Sequence, residues 1–242
     1  MTPPATNSGP FWSVMIPVNN PSLDLLRETI ASVHNSGVDL DNVQLCVVDD
    51  ASTNPAALDY LNRLTEQGIE VIRNPERRGV AGNWNSCLAA ARGEWVHILH
   101  QDDRVRPGFY AALEAGIRQA PHIGAALTQT AFIREDGTWL RDGHLDQNSA
   151  GLLDHWIQHV VVNLAIQCPA IAVRRAVYQR VGGFDGRYRY CTDAEMWQRI
   201  AVDYPIWYDP RPLAEYRVHP ASATYQLTLL ERWREQRRCL EQ

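Results

Sequence analysis

Two apolar runs in this chain end abruptly in adjacent carboxylates, and that repetition constrains the fold more than any other feature. Residues 43–48 (VQLCVV) lead into Asp49 and Asp50; residues 95–99 (WVHIL) lead through His100 and Gln101 into Asp102 and Asp103. Short continuous apolar runs read as strands buried on both faces, as in a parallel sheet. Adjacent acids repel and resist burial, so two such strand ends suit a common cleft at the carboxyl edge of an open α/β sheet, where ligands bind. A divalent cation, Mg²⁺ or Mn²⁺, is the natural counter-ion, because it prefers carboxylate oxygen and usually accompanies phosphate. A solvated acidic turn is the alternative reading.

The rest of the chain supplies matching elements. Strands are expected over 12–17, 43–48, 69–72 and 95–99. Helices are expected over 22–36, 56–67 and 83–92, with 74–82 as a polar loop. Strand and helix alternating at short intervals predict an α/β fold with a mostly parallel central sheet flanked by helices. The second half is less regular. Helices are expected over 109–120, 150–163, 174–181 and 192–202, with strands over 124–130, 170–173, 206–208 and 213–218. Asp136-Gly137 between two apolar pairs is a hairpin signal. Glycines 182 and 183 read as a turn needing positive φ, and His97 as a packed strand residue. The tail over 228–242 reads as a charged helix. One domain is expected over 11–225, with a regular first half (11–105) and a less regular second half (106–225). A flexible lead-in (1–10) precedes it and a helical tail (226–242) follows.

Composition excludes several classes. A net charge of -5 and the lack of a basic block argue against a nucleic-acid partner. Five scattered cysteines without a CxxC suit reduced thiols better than a disulfide framework or zinc site. No apolar run is long enough for a transmembrane helix. The expectation is therefore a cytoplasmic protein, with contact at the inner face of a membrane left open.

In order along the chain, the motifs resemble those of the family 2 inverting glycosyltransferases with the nucleotide-diphosphosugar transferase (GT-A) fold, over about residues 13–222. The opening strand and its turn, with Pro17, Val18 and Asn19, are similar to the family's nucleotide-binding edge. Residues 47–53 (VVDDAST) resemble the second-strand motif, whose second acid, here Asp50, contacts base or ribose. Asn83 falls in the Asn/Gly-rich segment that follows. His100-Gln101-Asp102-Asp103 stands where the family carries its metal motif. Gly183 and Phe184 lie in a loop resembling the one that closes on the acceptor side. Thr192-Asp-Ala-Glu195 resembles the helix start that carries the catalytic carboxylate, and residues 216–219 (YRVH) the late motif whose His reaches metal.

The resemblance implies a metal-dependent, non-processive inverting transferase in polysaccharide assembly. It would move a sugar from a nucleotide-diphosphosugar to a glycan, lipid-linked or other hydroxyl acceptor. Asp193 is then the general base; Asp102, Asp103 and His219 are metal ligands for Mn²⁺ or Mg²⁺. Pro17, Val18, Asn19, Asp50, Asn83, His100 and Gln101 form the nucleotide side, and Gly183, Phe184, Thr192 and Glu195 the acceptor side. His100 departs from the family's acid, which shifts the metal reading onto Asp102 and Asp103. Thr192 stands where relatives have Glu. Read locally, Thr192 to Glu195 is also a capping box with Asp193 at the first helical position, where the helix dipole would weaken it as a base. For Asp50, nucleotide contact is favoured over the alternative of capping the following helix. A catalytically silent nucleotide-sugar-binding protein remains the alternative, and a sugar-phosphate nucleotidyltransferase ranks below it because no glycine-rich basic loop follows the first strand.

Overall fold

The computed structural model describes residues 9–158, 160, 166–220, 222 and 227–241, so most of the lead-in lies outside the described residues. One sheet runs through the molecule. Its first four strands are β1 (Trp12–Val18), β2 (Val43–Asp49), β3 (Glu70–Arg73) and β4 (Trp95–Ile98), in the order β3-β2-β1-β4 and mutually parallel. The chain leaves β1 toward β2 on one side and returns to β4 on the other. That reversal opens a crevice at the carboxyl ends of β1 and β4.

The second half continues the sheet with mixed sense. Strand β9 (Ile171–Arg174) runs antiparallel between β4 and β6 (Ala125–Arg134), and β6 pairs parallel with β10 (Ile206–Val218). Three short strands complete it: β5 (Arg104–Val105) and β8 (Gly151–Leu152) on β10, and β7 (Trp139–Asp142) on β6 across the expected Asp136-Gly137 turn. The two strands expected at 206–208 and 213–218 are one strand. Register shifts at Asp209/Pro212 and Pro212/Ala214 interrupt its ladder, as prolines without an N–H require.

Apolar alternation builds a core on each face. From β1, Val14 and Ile16 point to one core, shared with Leu26, Ile30, Leu61, Phe109 and Leu113. These come from helices α1 (Leu23–His34), α2 (Pro55–Glu66) and α4 (Phe109–Gln119). Met15 points to the other core, with Trp84, Cys87, Val177, Met196, Trp197 and Ile200. Helices α3 (Gly79–Ala90), α6 (Arg175–Val181) and α7 (Thr192–Asp203) pack there. The helix expected over 150–163 is β8 followed by the short α5 (Trp156–Gln158); part of that span lies outside the described residues. Helix α8 (Leu229–Leu240) starts at Thr228 with a complete capping box to Glu231.

His97 is the core residue expected of it. It is fully buried between the Tyr110 hydroxyl and the Pro169 carbonyl, and burial lowers its pKa to about 4. All five cysteines are free and buried. Among the described residues no helix is long and apolar enough to cross a membrane.

Candidate active site

The crevice is bounded by the turns after β1, β2 and β4. Backbone strain marks two of them: Asn20 and Ala51 both have positive φ. The Asn20 side-chain oxygen accepts from Thr53 and Asn54 N–H, and the Asn20 N–H donates to Ser52 Oγ, which sews the first two turns together. Asn19 joins the third, its N–H donating to Gln101 Oε1 at 3.0 Å and its side-chain amide to the Asp50 carbonyl at 2.8 Å. Pro17 and Val18 are buried immediately before this turn.

Beneath the crevice, Asp50 and Asn83 are committed to the protein. Asp50 is 2 % exposed; its carboxylate accepts from Arg78 N–H (2.7 Å), Gly79 N–H (2.8 Å) and the Asn74 amide (3.1 Å). It therefore anchors the start of α3, which begins at Gly79 rather than at residue 83. Asn83 accepts from Asn74 and donates to Val48 O at 3.1 Å and Val18 O at 3.4 Å, tying α3 to two strand ends.

The acidic motif after β4 forms the wall opposite. His100, Asp102 and Asp103 each turn a ligand atom to a common point, with all three atoms within 4.8 Å of one another. His100 stacks on Trp84 with ring centroids 5.0 Å apart. Asp103 is buried: Oδ1 accepts from Arg217 N–H at 2.8 Å, while Oδ2 lies 3.3 Å from His100 Nδ1 without a hydrogen bond. Burial and the Asp102 charge raise its pKa to about 6, against the pull of His100. For His100, burial opposes charge, but the Cys168 sulfur and the Asp103 carboxylate outweigh it and raise its pKa well above the usual value. Asp102 Oδ2 lies 2.8 Å from His219 Nε2, and that hydrogen bond raises the His219 pKa. The donor set, with Asp103 Oδ2 and His100 Nε2 buried and lacking hydrogen-bond partners among the described residues, fits a divalent cation.

Arg217, to which the sequence reading gave no role, holds this wall. Its buried guanidinium donates to Asp102 O (2.8 Å), Glu135 O (2.7 Å) and the Glu28 carboxylate (2.7 Å). Thr29 Oγ1 adds a bond to Asp103 O. The signal available was strand periodicity: Arg217 and His219 stand two apart on β10 and its end, so they share a face.

Asp193 lies within electrostatic reach of this wall. It keeps partial solvent access, its charge is felt by both His100 and Cys168, and burial raises its pKa against the Ala194 N–H that its Oδ1 accepts at 2.8 Å. The expected capping box is absent. Cys191 is the N-cap without a side-chain bond, so Asp193 is the second helical residue. Thr192 donates to Tyr188 O instead, and Glu195 binds Arg199 at 2.6 and 2.8 Å. Arg199 in turn donates to Val181 O and Gly183 O, so Glu195 braces the 181–184 loop.

Only Gly182 in that loop has positive φ. Gly183 is required by close approach, because a Cβ there would collide with the Asn85 amide. That amide clamps Phe184, donating to its carbonyl at 2.9 Å and accepting its N–H at 2.7 Å. Phe184 itself is buried edge-on against Trp84. Gly183→Ala is expected to destabilise the protein by about 1–3 kcal/mol through this overpacking, measured by denaturant unfolding, with Asn85→Ala relieving part of the loss.

Comparisons with known proteins bear on the family and the fold. The chain is 27% identical over 222 residues to a pre-mycofactocin glycosyltransferase of Mycobacterium tuberculosis, a match covering 88% of this chain and 44% of that protein. It is 29% identical over 143 residues to the succinoglycan biosynthesis protein ExoO of Rhizobium meliloti, covering 58% and 39% respectively. The fold matches that of S. aureus TarS 1–349, solved in complex with UDP-GlcNAc, with a TM-score of 0.74 at 16% identity, covering 90% of this chain and 61% of TarS 1–349. The chain thus spans less than two thirds of each. Residues 13–182 match the model of Glycosyl transferase family 2, more than half of the sequence. With a sheet reversal that opens a crevice, an acidic wall and a raised carboxylate beside it, the chain belongs to glycosyltransferase family 2.

Proposed function

We propose that this glycosyltransferase transfers one sugar at a time, with inversion, from a nucleoside-diphosphate sugar to an acceptor hydroxyl. The observation that carries the reading is Asp193: a carboxylate at a helix N-terminus whose pKa is nonetheless raised, in electrostatic contact with the His100–Asp102–Asp103 cluster. The helix dipole lowers a carboxylate pKa, so the net rise means that burial dominates, as a general base requires. Asp193 takes the acceptor hydroxyl proton as that oxygen bonds to the anomeric carbon. The bond from that carbon to the diphosphate oxygen breaks in the same displacement, and the departing diphosphate carries away the electron pair.

His100, Asp102, Asp103 and His219 would hold a divalent cation, which when bound neutralises charge on the diphosphate. Imidazole among the donors favours Mn²⁺ over Mg²⁺. Pro17, Val18, Asn19 and Gln101 form the nucleoside side, with Asp50 and Asn83 stiffening it from below. Gly183 and Phe184 in the 181–184 loop, Glu195 bracing that loop through Arg199, and Thr192 bonded to Tyr188 O shape the acceptor side. A uridine nucleotide is the donor we favour, since a protein of the same fold was solved with UDP-GlcNAc. A relative named for succinoglycan biosynthesis supports a role in polysaccharide assembly.

A panel of UDP-, dTDP- and GDP-sugars with Mn²⁺ or Mg²⁺ tests the reading. Turnover is expected with a UDP-sugar, as transfer or slow hydrolysis, and it should stop on chelation and return with Mn²⁺. Nucleotide binding without any turnover would favour a silent binding protein, the second reading that His100 in the metal motif keeps open.

A further inference from the structure

We propose that Glu235, on the C-terminal helix α8, is a positioning residue for the catalytic helix α7. The proposal rests on the reading of Asp193 as base. Helix α7 begins without a side-chain cap, so its approach must be fixed from elsewhere. One oxygen of Glu235 does this. It accepts the backbone N–H groups of Tyr190 (2.7 Å), Arg189 (2.9 Å) and, more weakly, Cys191 (3.4 Å). These are the last three residues before Thr192 and Asp193.

Two neighbours on α8 support the same segment. The Arg232 guanidinium lies over the Tyr190 ring at 5.9 Å. Cys239 is buried with Cys191, Tyr188 and Ala194 in a small cluster of its own, and its sulfur donates to Gln198 Oε1 on α7. Residues 232, 235 and 239 recur at helical spacing, so one face of α8 addresses one segment. A carboxylate on converging backbone N–H groups makes charge-assisted bonds, about twice as strong as neutral ones, and its charge complements the positive end of α7. Among the described residues of the 13–182 region that matches the family, none supplies this contact.

The consequence is kinetic. Loosening 189–191 lets the start of α7 shift, and misplacing a catalytic group by about 1 Å is enough to cost up to 100-fold in rate. The nucleotide side, built on β1, β2 and β4, is not touched by Glu235.

Glu235→Ala is therefore expected to lower kcat about 10- to 100-fold, while the KM for the best donor of the panel changes by less than about twofold. Amides 189–191 should lose hydrogen-exchange protection. Glu235→Gln, which keeps an oxygen acceptor, should recover most of the rate; it also serves if the Ala variant does not fold. In an Asp193→Asn background Glu235→Ala should cost nothing further, since it acts through Asp193. Unchanged exchange at 189–191, or full turnover despite loosened amides, or an additive loss in the double variant, would each overturn the proposal. Full turnover by Asp193→Asn alone sinks the base reading instead, whatever the exchange data say about anchoring.

Discussion

Asp193→Asn is expected to lower kcat by about 10²- to 10⁴-fold, the range that a positioned general base contributes, with little change in nucleotide affinity. Asn keeps the size of the side chain and an oxygen to accept the Ala194 N–H, so the helix start should survive and the loss should fall on kcat. The wild-type acid limb should lie above the range of an ordinary exposed carboxylate, because burial raises the Asp193 pKa. The same shift fixes a stability effect. A carboxyl whose folded-state pKa is raised favours the folded protein in full below its unfolded pKa, and that advantage is lost as pH rises through the folded value. At neutral pH the ionised Asp193 is therefore a burden on the fold. The Asn variant should melt at a higher temperature than wild type at pH 7, with the difference vanishing in acid. A variant that is inactive and less stable at pH 7 would mean that the substitution damages the structure, and a fully active one would move the base elsewhere.

The features legible in the sequence were those carried by local pattern. The two apolar runs ending in Asp-Asp are β2 and β4, which flank β1 in the parallel half, and Asn19 after β1 bridges their ends by bonds to Asp50 O and Gln101 Oε1. The Asp136-Gly137 turn and the helix at 192 were equally local. What escaped was set by partners distant in sequence. Helix α3 starts four residues earlier than its periodicity suggests because the Asp50 carboxylate, from another strand, receives its first amides. Thr192 and Glu195 have the spacing of a capping box, yet Glu195 is captured by Arg199 and the segment before the helix by Glu235 on α8. Arg217 reads as one more surface cation until β10 is laid beside the acidic loop, where it becomes a buried clamp. A spacing rule sees one element at a time, whereas each of these contacts joins two elements at least 20 residues apart, Arg199 excepted.

Asp102→Ala is expected to weaken Mn²⁺ binding by at least about 100-fold, since loss even of outer-shell partners costs 10–100-fold, and to reduce transfer in parallel. Asp102 is the accessible carboxylate of the wall; Asp103 is buried and already holds the Arg217 N–H. The pH dependence of binding is the sharper observable. Asp103 titrates at about 6, and His100 and His219 are both raised above the usual histidine value. Asp103 therefore gives up its proton at higher pH than an ordinary carboxyl, the two histidines at higher pH than an ordinary imidazole, and each must be deprotonated to serve as a metal ligand. Mn²⁺ affinity should then rise with pH across the neutral range, and each proton released on binding steepens that rise by about tenfold per pH unit, the 1.4 kcal/mol equivalent of one pKa unit. Titration calorimetry in buffers of different ionisation enthalpy would count the protons. His219→Gln should remove one proton from that count and flatten the slope, while leaving Asp102 free of its 2.8 Å partner. Mn²⁺ binding that is independent of pH between 6 and 8 would mean that the cluster is not the metal site. The raised carboxylate and histidines would then hold one another through shared protons, and the diphosphate would have to be met by protein cations alone.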